Sequence, residues 1–229
     1  MNQEIKHPTM PAVPPRMLKL ARHRIMGMDA VVPWFVTFFN DKGEPQEYGT
    51  GTPDFRVVDS RKLPRAYQQR LCWVCGEKLG AYMAFVTGPM CCITRTSAEP
   101  PSHHDCAMFS AQACPFLTRP KMRRNEKGMP EELMKPGGIM IARNPGVSAV
   151  WITKQYDLFR ANGGVLVKMG DPTNVFWFAQ GRAATREEVM ESVTSGYPAL
   201  LEMALQDGSE AVADLGKKYK HFLQYVPAA

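Results

Sequence analysis

All six cysteines of the chain, Cys72, Cys75, Cys91, Cys92, Cys106 and Cys114, lie in one window, with none before or after it. Within it, Cys72-Trp-Val-Cys75-Gly76 has the spacing that lets two sulfurs of one tight turn face a single ion, and Gly76 suits a turn position with positive φ. A second pair, His103-His-Asp-Cys106, repeats that spacing at the head of an apolar helical stretch, residues 107–113. Residues three apart in a first helical turn lie on one side, so both can reach the same ion. Cys72, Cys75, His103 and Cys106 together make a closed, four-coordinate set for Zn2+, in which the ion is structural and keeps no open position for chemistry. His104 can stand in for His103, although the three-residue offset to Cys106 favours His103. Asp105 either backs a ligand or places a negative charge at the helix N-terminus. Cys91 and Cys92 either replace a ligand or lie beside the site as inert thiols. Cys114-Pro115 ends the helix, its sulfur directed to the core.

These donors need elements to carry them. A helix over residues 63–71, with Pro64 in its first turn, delivers the chain to Cys72. Residues 79–88 alternate with Tyr82, Phe85 and Val86 and read as a strand or hairpin. Upstream, residues 34–39 and 55–58 read as strands, and residues 15–25 mix apolar and basic positions at roughly helical spacing. Downstream, residues 138–142, 149–153, 164–169 and 175–179 are four β-rich runs punctuated by Asn-Pro-Gly, Asn-Gly-Gly and Gly-Asp-Pro, which suggests a small antiparallel sheet. A helix begins at Thr185, where Thr-Arg-Glu-Glu forms a capping box with Glu188. Gly196-Tyr197-Pro198 is expected to interrupt it, with a second helix running through Ala204 and a third from Ser209 to about Tyr225. Gly137-Gly138 and Gly163-Gly164 precede strands and are turn glycines, not a phosphate cradle.

Knuckle, hairpin and helix-borne ligands, in that order over residues 71–116, resemble a treble-clef zinc finger. The stretches PWFV, PDFR, CWVCG, GPMCCITRTSAEPPSHHDC, ACPFLTRPKMRR and GRAATREEV also resemble a family of bacterial and phage proteins. That second resemblance implies a cytoplasmic chain and assigns no activity.

The 229 residues, 45% hydrophobic and 22% charged, are enough to bury a sizeable core. The fold class expected is α+β: a treble-clef-like zinc-binding element plus a small antiparallel sheet with C-terminal helices. Residues 1–15 read as an extended arm, 16–118 as the zinc-binding region, 119–136 as a basic linker or loop, and 137–229 as a β-rich segment with helices. No run of about 18 apolar residues occurs, which excludes a spanning helix. The first residues lack the apolar core and cleavage site of a secretory signal, so the cytoplasm is the expected compartment and metal ligation is favoured over disulfides.

A net charge of +6 allows an anionic partner without requiring one. Arg119, Lys121, Arg123, Arg124 and Lys127 follow the zinc helix and, with Arg16, Lys19, Arg22 and Arg24, offer phosphate contacts, which makes nucleic acid one expected partner. Glu126, Glu131 and Glu132 interrupt that run in the manner of a solvated loop. A protein-interaction or regulatory factor is the alternative, presenting its C-terminal amphipathic helices to a partner. Catalysis is the less favoured reading. No histidine lies between Cys75 and His103 to serve as the base of a finger nuclease, and a Cys91 or Cys92 nucleophile would need a lowered pKa beside His104.

Overall fold

The computed structural model describes residues 11–25, 27–119, 127, 144–161 and 164–228. The chain enters through a 3-10 turn, Pro15–Met17, and then a hairpin of β1 (Arg22–Ile25) and β2 (Met28–Val31). The helix expected over residues 15–25 is therefore not formed. Gly27, at φ 84°, turns the chain back, and cross-strand bonding takes the place of intrahelical bonding. Strands β3 (Val36–Phe39), β4 (Pro45–Gln46) and β5 (Thr52–Val58) make a three-stranded antiparallel sheet in the order β4-β3-β5 around buried Val32, Val36 and Phe38.

Helix α1 (Lys62–Gln69) follows, with Pro64 in its first turn as expected, and closes on Arg70 in the left-handed conformation, φ 52°. Lys62 is buried, and three features of its site offset part of the cost of burying its charge, although burial still pulls its pKa down. Its Nζ lies 3.4 Å from Asp59 Oδ2, donates to the Val36 carbonyl at 3.3 Å, and sits 4.9 Å from the centre of the Tyr48 ring.

The central part of the chain contributes β6 (Met83–Thr87), α2 (Pro89–Thr94), β7 (Thr96–Ser97), α3 (His104–Ala113) and α4 (Pro115–Thr118). The last part contributes β8 (Ser148–Thr153), β9 (Tyr156–Ala161), β10 (Gly164–Met169), β11 (Pro172–Ala179), β12 (Arg182–Ala183), α5 (Arg186–Asp207) and α6 (Ser209–Phe222). A four-stranded antiparallel sheet runs β12-β11-β8-β6, and a three-stranded one runs β7-β10-β9. The strand expected over residues 138–142 lies outside the described residues.

All six residues of β8 are buried, because its sheet is covered on both faces. Ala84, Val150, Ile152 and Phe178 face Ala107 and Ala111 of α3. The alternate positions, Phe85, Ala149, Trp151, Trp177 and Ala179, form a core with Val189 and Val193 of α5 and Leu215 and Phe222 of α6. Segment 16–118 thus shares a sheet with segment 137–229: β6 pairs with β8 from Met83↔Thr153 to Thr87↔Ala149, and β7 pairs with β10.

The Thr185 capping box is present, with Thr185 Oγ1 accepting from Glu188 N and Glu188 Oε2 accepting from Thr185 N. Contrary to expectation, Gly196-Tyr197-Pro198 does not divide the helix, and α5 continues through Pro198 to Asp207. Pro198 is exposed, as is Thr194, whose carbonyl loses its usual i+4 donor, so that loss falls on the solvent side. Tyr197 meanwhile packs on Tyr219 of α6 at 4.7 Å between ring centres. Gly208, at φ 106°, makes the turn into α6. No described helix is long and apolar enough to cross a membrane.

Candidate metal centre

Cys72, Cys75, His103 and Cys106 converge as the sequence spacing predicts: all four are buried, and their donor atoms all lie within 4.8 Å of one another. Donors about 2.3 Å from a tetrahedral ion are about 3.8 Å apart. The cluster is therefore on the scale that could hold one metal ion. Among the described residues, Cys91, Cys92, Cys114 and His104 are not part of the group.

The first pair is shaped by backbone. Cys72 N–H donates to Glu77 O at 2.7 Å, Gly76 N–H to Cys72 O at 2.8 Å, and Cys75 N–H to Cys72 Sγ at 3.4 Å. Gly76 has φ 74°, and a Cβ there would meet the Trp34 ring at 2.8 Å, so both conformation and space require glycine. The second pair is carried by α3. His103 is its N-cap residue, Cys106 stands in its first turn, and the Ala107 N–H to His103 O bond starts the helix. The His103 N–H donates to Cys72 Sγ at 3.3 Å, and the helix N-terminus favours the negative charge of thiolates there.

The His103 ring is oriented from behind. Its Nε2 lies 3.0 Å from the Lys78 carbonyl, which can only accept, so Nε2 carries a proton, and this fixes the ring with Nδ1 toward the sulfurs, 3.3 Å from Cys75 Sγ. Burial pushes the Cys72 thiol up, but hydrogen bonds from Cys106, Cys75 and His103 outweigh it and hold Cys72 below the ordinary thiol range. The same bonds, to Cys72 and Cys75, raise Cys106, and bonds to Cys72 and Cys75 raise His103 to about 10. The cluster thus competes for protons that a cation would displace. Three thiols and one imidazole, closed to solvent and backed by a carbonyl, suit a metal ion held for structure.

The amino-terminal segment clasps this site. Arg16 Nε donates to Asp105 Oδ2 at 2.9 Å and its Nη1 lies 3.6 Å from Glu77, which Lys19 also pairs. Met17 and Leu20 pack among Cys72, Val74, Cys75, Leu79, Met83, Cys106 and Phe109. Two contributors were invisible in the sequence: the Lys78 carbonyl, which has no side-chain signature, and the Arg16 clasp, which is distant in the chain. Asp105 lies at the N-terminus of α3, where its partner is Arg16.

The remaining candidates separate. Arg16, Lys19 and Arg22 are each paired with carboxylates, Arg22 with Asp29 at 3.3 Å, which reduces what they offer a phosphate. Arg119 and Lys127 are exposed, while Lys121, Arg123 and Arg124 lie outside the described residues. Burial pushes the Cys91 and Cys92 thiols up, away from the thiolate that a nucleophile needs. His104 has its ring 5.9 Å from Phe176. Between the two ligand pairs the chain forms β6, α2 and β7, with β6 paired to β8 and not to a hairpin partner. No protein-family model, no curated protein and no solved structure matches this chain.

Proposed function

We propose that this chain is a zinc-stabilised binding protein, whose partner is nucleic acid. The observation that carries the first half is the buried group of Cys72, Cys75, His103 and Cys106, with every donor within 4.8 Å of the others. Zinc is the ion suited to three thiolates and one imidazole in a closed tetrahedral site, and such a site contributes folding free energy and no reaction. The order of ligands, a Cys-x-x-Cys turn and then a pair opening a helix, is that of a treble-clef finger. Here, though, β6, α2 and β7 stand where that finger has its hairpin. A site spent on structure directs function to the surface. There the net charge of +6, with Arg119 and Lys127 exposed at the two sides of the basic segment 119–127, supports a phosphate-bearing partner.

Two measurements test the reading. Elemental analysis of the purified chain is expected to return one zinc per chain, lost in Cys72→Ser and His103→Ala; metal-free protein that remains folded sinks the first half. Retention on DNA or RNA is expected to fall steeply with salt and to weaken in an Arg123→Ala/Arg124→Ala variant. An unchanged salt response in that variant rejects the basic segment as the contact surface.

A further inference from the structure

Away from the four metal ligands, a cavity of about 690 Å³ opens between the C-terminal end of α2, strands β9 and β10, and α6, within the range of small-molecule sites, about 300–1,000 Å³. None of the metal-centre residues lines it. Its charged lining is Arg95, Lys168, Lys217 and Lys218 against Asp171 and Asp214, four cations to two carboxylates, with His221 beside them. The surplus of two positive charges equals the charge of a phosphate monoester, about −2 near neutral pH. Asp171 and Asp214 do not consume it. Arg95 pairs with Asp171 at 2.7 Å and Lys218 with Asp214 at 2.6 Å, while Lys168 and Lys217 enter no ion pair among the described residues. The Asp214 carboxyl is held below its ordinary range, first by the Lys218 hydrogen bond and then by the charges of Lys218, Lys217 and Lys168, so these cations converge on one place.

Arg95 is placed with care for a surface cation. It is a non-glycine residue in the left-handed conformation, φ 56°, at the end of α2. Its N–H caps Cys91 O, and its carbonyl accepts from Met169 N–H at 2.8 Å, which pins it to the end of β10. Its guanidinium lies 5.9 Å from the centre of the Trp151 ring and is only 23% exposed. Strained backbone persists where the surroundings hold it, and such positions concentrate at ligand sites. Arg95 Nη2 is held by Asp171 Oδ1 at 2.7 Å, so a phosphate, whose oxygens match the guanidinium fork, would share or displace that exposed carboxylate. Phe159 lines the same cavity with 39% of its surface exposed, an aromatic face available for stacking.

We propose that this cleft binds the phosphate group of a nucleotide, with Arg95, Lys168 and Lys217 on the phosphate and Phe159 against the base. Neither the metal ligands nor Arg119 or Lys127 line the site, and it takes the same chemistry whether the nucleotide is free or part of a strand. The test is calorimetric titration of the full-length chain with ADP, inorganic phosphate and a single-stranded oligonucleotide, on the native protein and on Lys168→Ala/Lys217→Ala, Phe159→Ala and Lys220→Ala. These positions are all exposed, so the variants keep the fold, which circular dichroism verifies. Weakening of ADP by about tenfold or more in the double lysine variant, with Lys220→Ala unchanged, supports the cleft with a free nucleotide as its ligand. Weakening of the oligonucleotide alone supports it with a strand as the source. Phe159→Ala is expected to weaken ADP and leave inorganic phosphate unaffected. Absence of binding by every probe, or equal losses in Lys220→Ala, overturns the proposal. Oligonucleotide binding that depends on Arg123 and Arg124 but not on Lys168 and Lys217 leaves the basic-segment reading standing while rejecting this one.

Discussion

Around Cys106 the buried neighbours are Met17, Leu20, Val74, Leu79, Met83 and Phe109, with Cys72 and Cys75 among them. Around Trp151 they are Phe85, Ile93, Val167, Met169, Trp177, Val189, Val193 and Phe222, among others. The first region is small, and its interior is organised by groups that need partners: four metal donors and, close by in the chain, the buried Asp59–Lys62 pair. The second is a sheet covered on both faces, whose interior needs only to exclude water. Apolar burial stabilises in proportion to area, so a region with little of it depends on strong local bonds. The comparison teaches where each half is vulnerable.

Metal removal is expected to have the largest effect and to separate the halves. Structural zinc contributes about 10 kcal/mol or more in small metal-folded domains. Chelation should therefore expose backbone amides of 70–80 and 101–107 to hydrogen exchange before those of β8 and β11. Simultaneous loss of protection in both halves would show that they unfold as one.

Trp151→Ala attacks the other region. Removing this fully buried ring should cost about 4 kcal/mol in denaturant titration, with metal content unchanged in the folded fraction. A loss of any bound metal in that variant would mean that the ligand-bearing α3 depends on the sheet.

Asp59→Asn leaves the Lys62 ammonium buried without its counter-charge and should cost about 3 kcal/mol. Burial raises the Asp59 carboxyl, but the hydrogen bond from Arg61 and the charge of Lys62 hold it below the usual carboxylate range. The stability it supplies is thus present at neutral pH and disappears as pH falls through that depressed value. An acid-unfolding midpoint identical in Asp59→Asn would show that the pair contributes nothing.

Smaller effects sharpen the edges. Thr185→Ala removes the reciprocal cap of α5 and should cost about 1 kcal/mol, seen as a shift of Tm. Arg16→Ala should cost under about 0.5 kcal/mol, less still at high salt, because both Arg16 and its carboxylate partners are more than a third exposed. A larger loss would identify the amino-terminal clasp as part of the metal centre.

Much of what depended on neighbours in the chain was legible, although the β1–β2 hairpin, equally local, was taken for a helix. The Thr185 capping box, the Gly208 turn, the Gly76 knuckle and the two ligand pairs each lie within a few residues, and short spacings constrain geometry by themselves. The β10 bounds, Gly164–Met169, agree with the run read from residues 164–169. Strand β9 was missed because only its ends are even half-buried, so no apolar alternation marks it. Helix α2 was missed because its six residues, Pro89–Thr94, are too few to show a helical period. Pro198 misled because its local penalty is real but falls on the exposed side of a helix that packing on α6 sustains.

The amino-acid sequence by itself determined the donor set, the order in which it is presented and the capped start of α5, since these are written in contacts close along the backbone. Only the tertiary structure decided that β6 leaves the knuckle to pair with β8, that Arg16 returns to Asp105, and that Arg95, Lys168 and Lys217 share a cleft. Those meetings join residues far apart in the chain, and no local spacing encodes them; the pairing of β6 with β8 in particular serves to bury β8 on both faces.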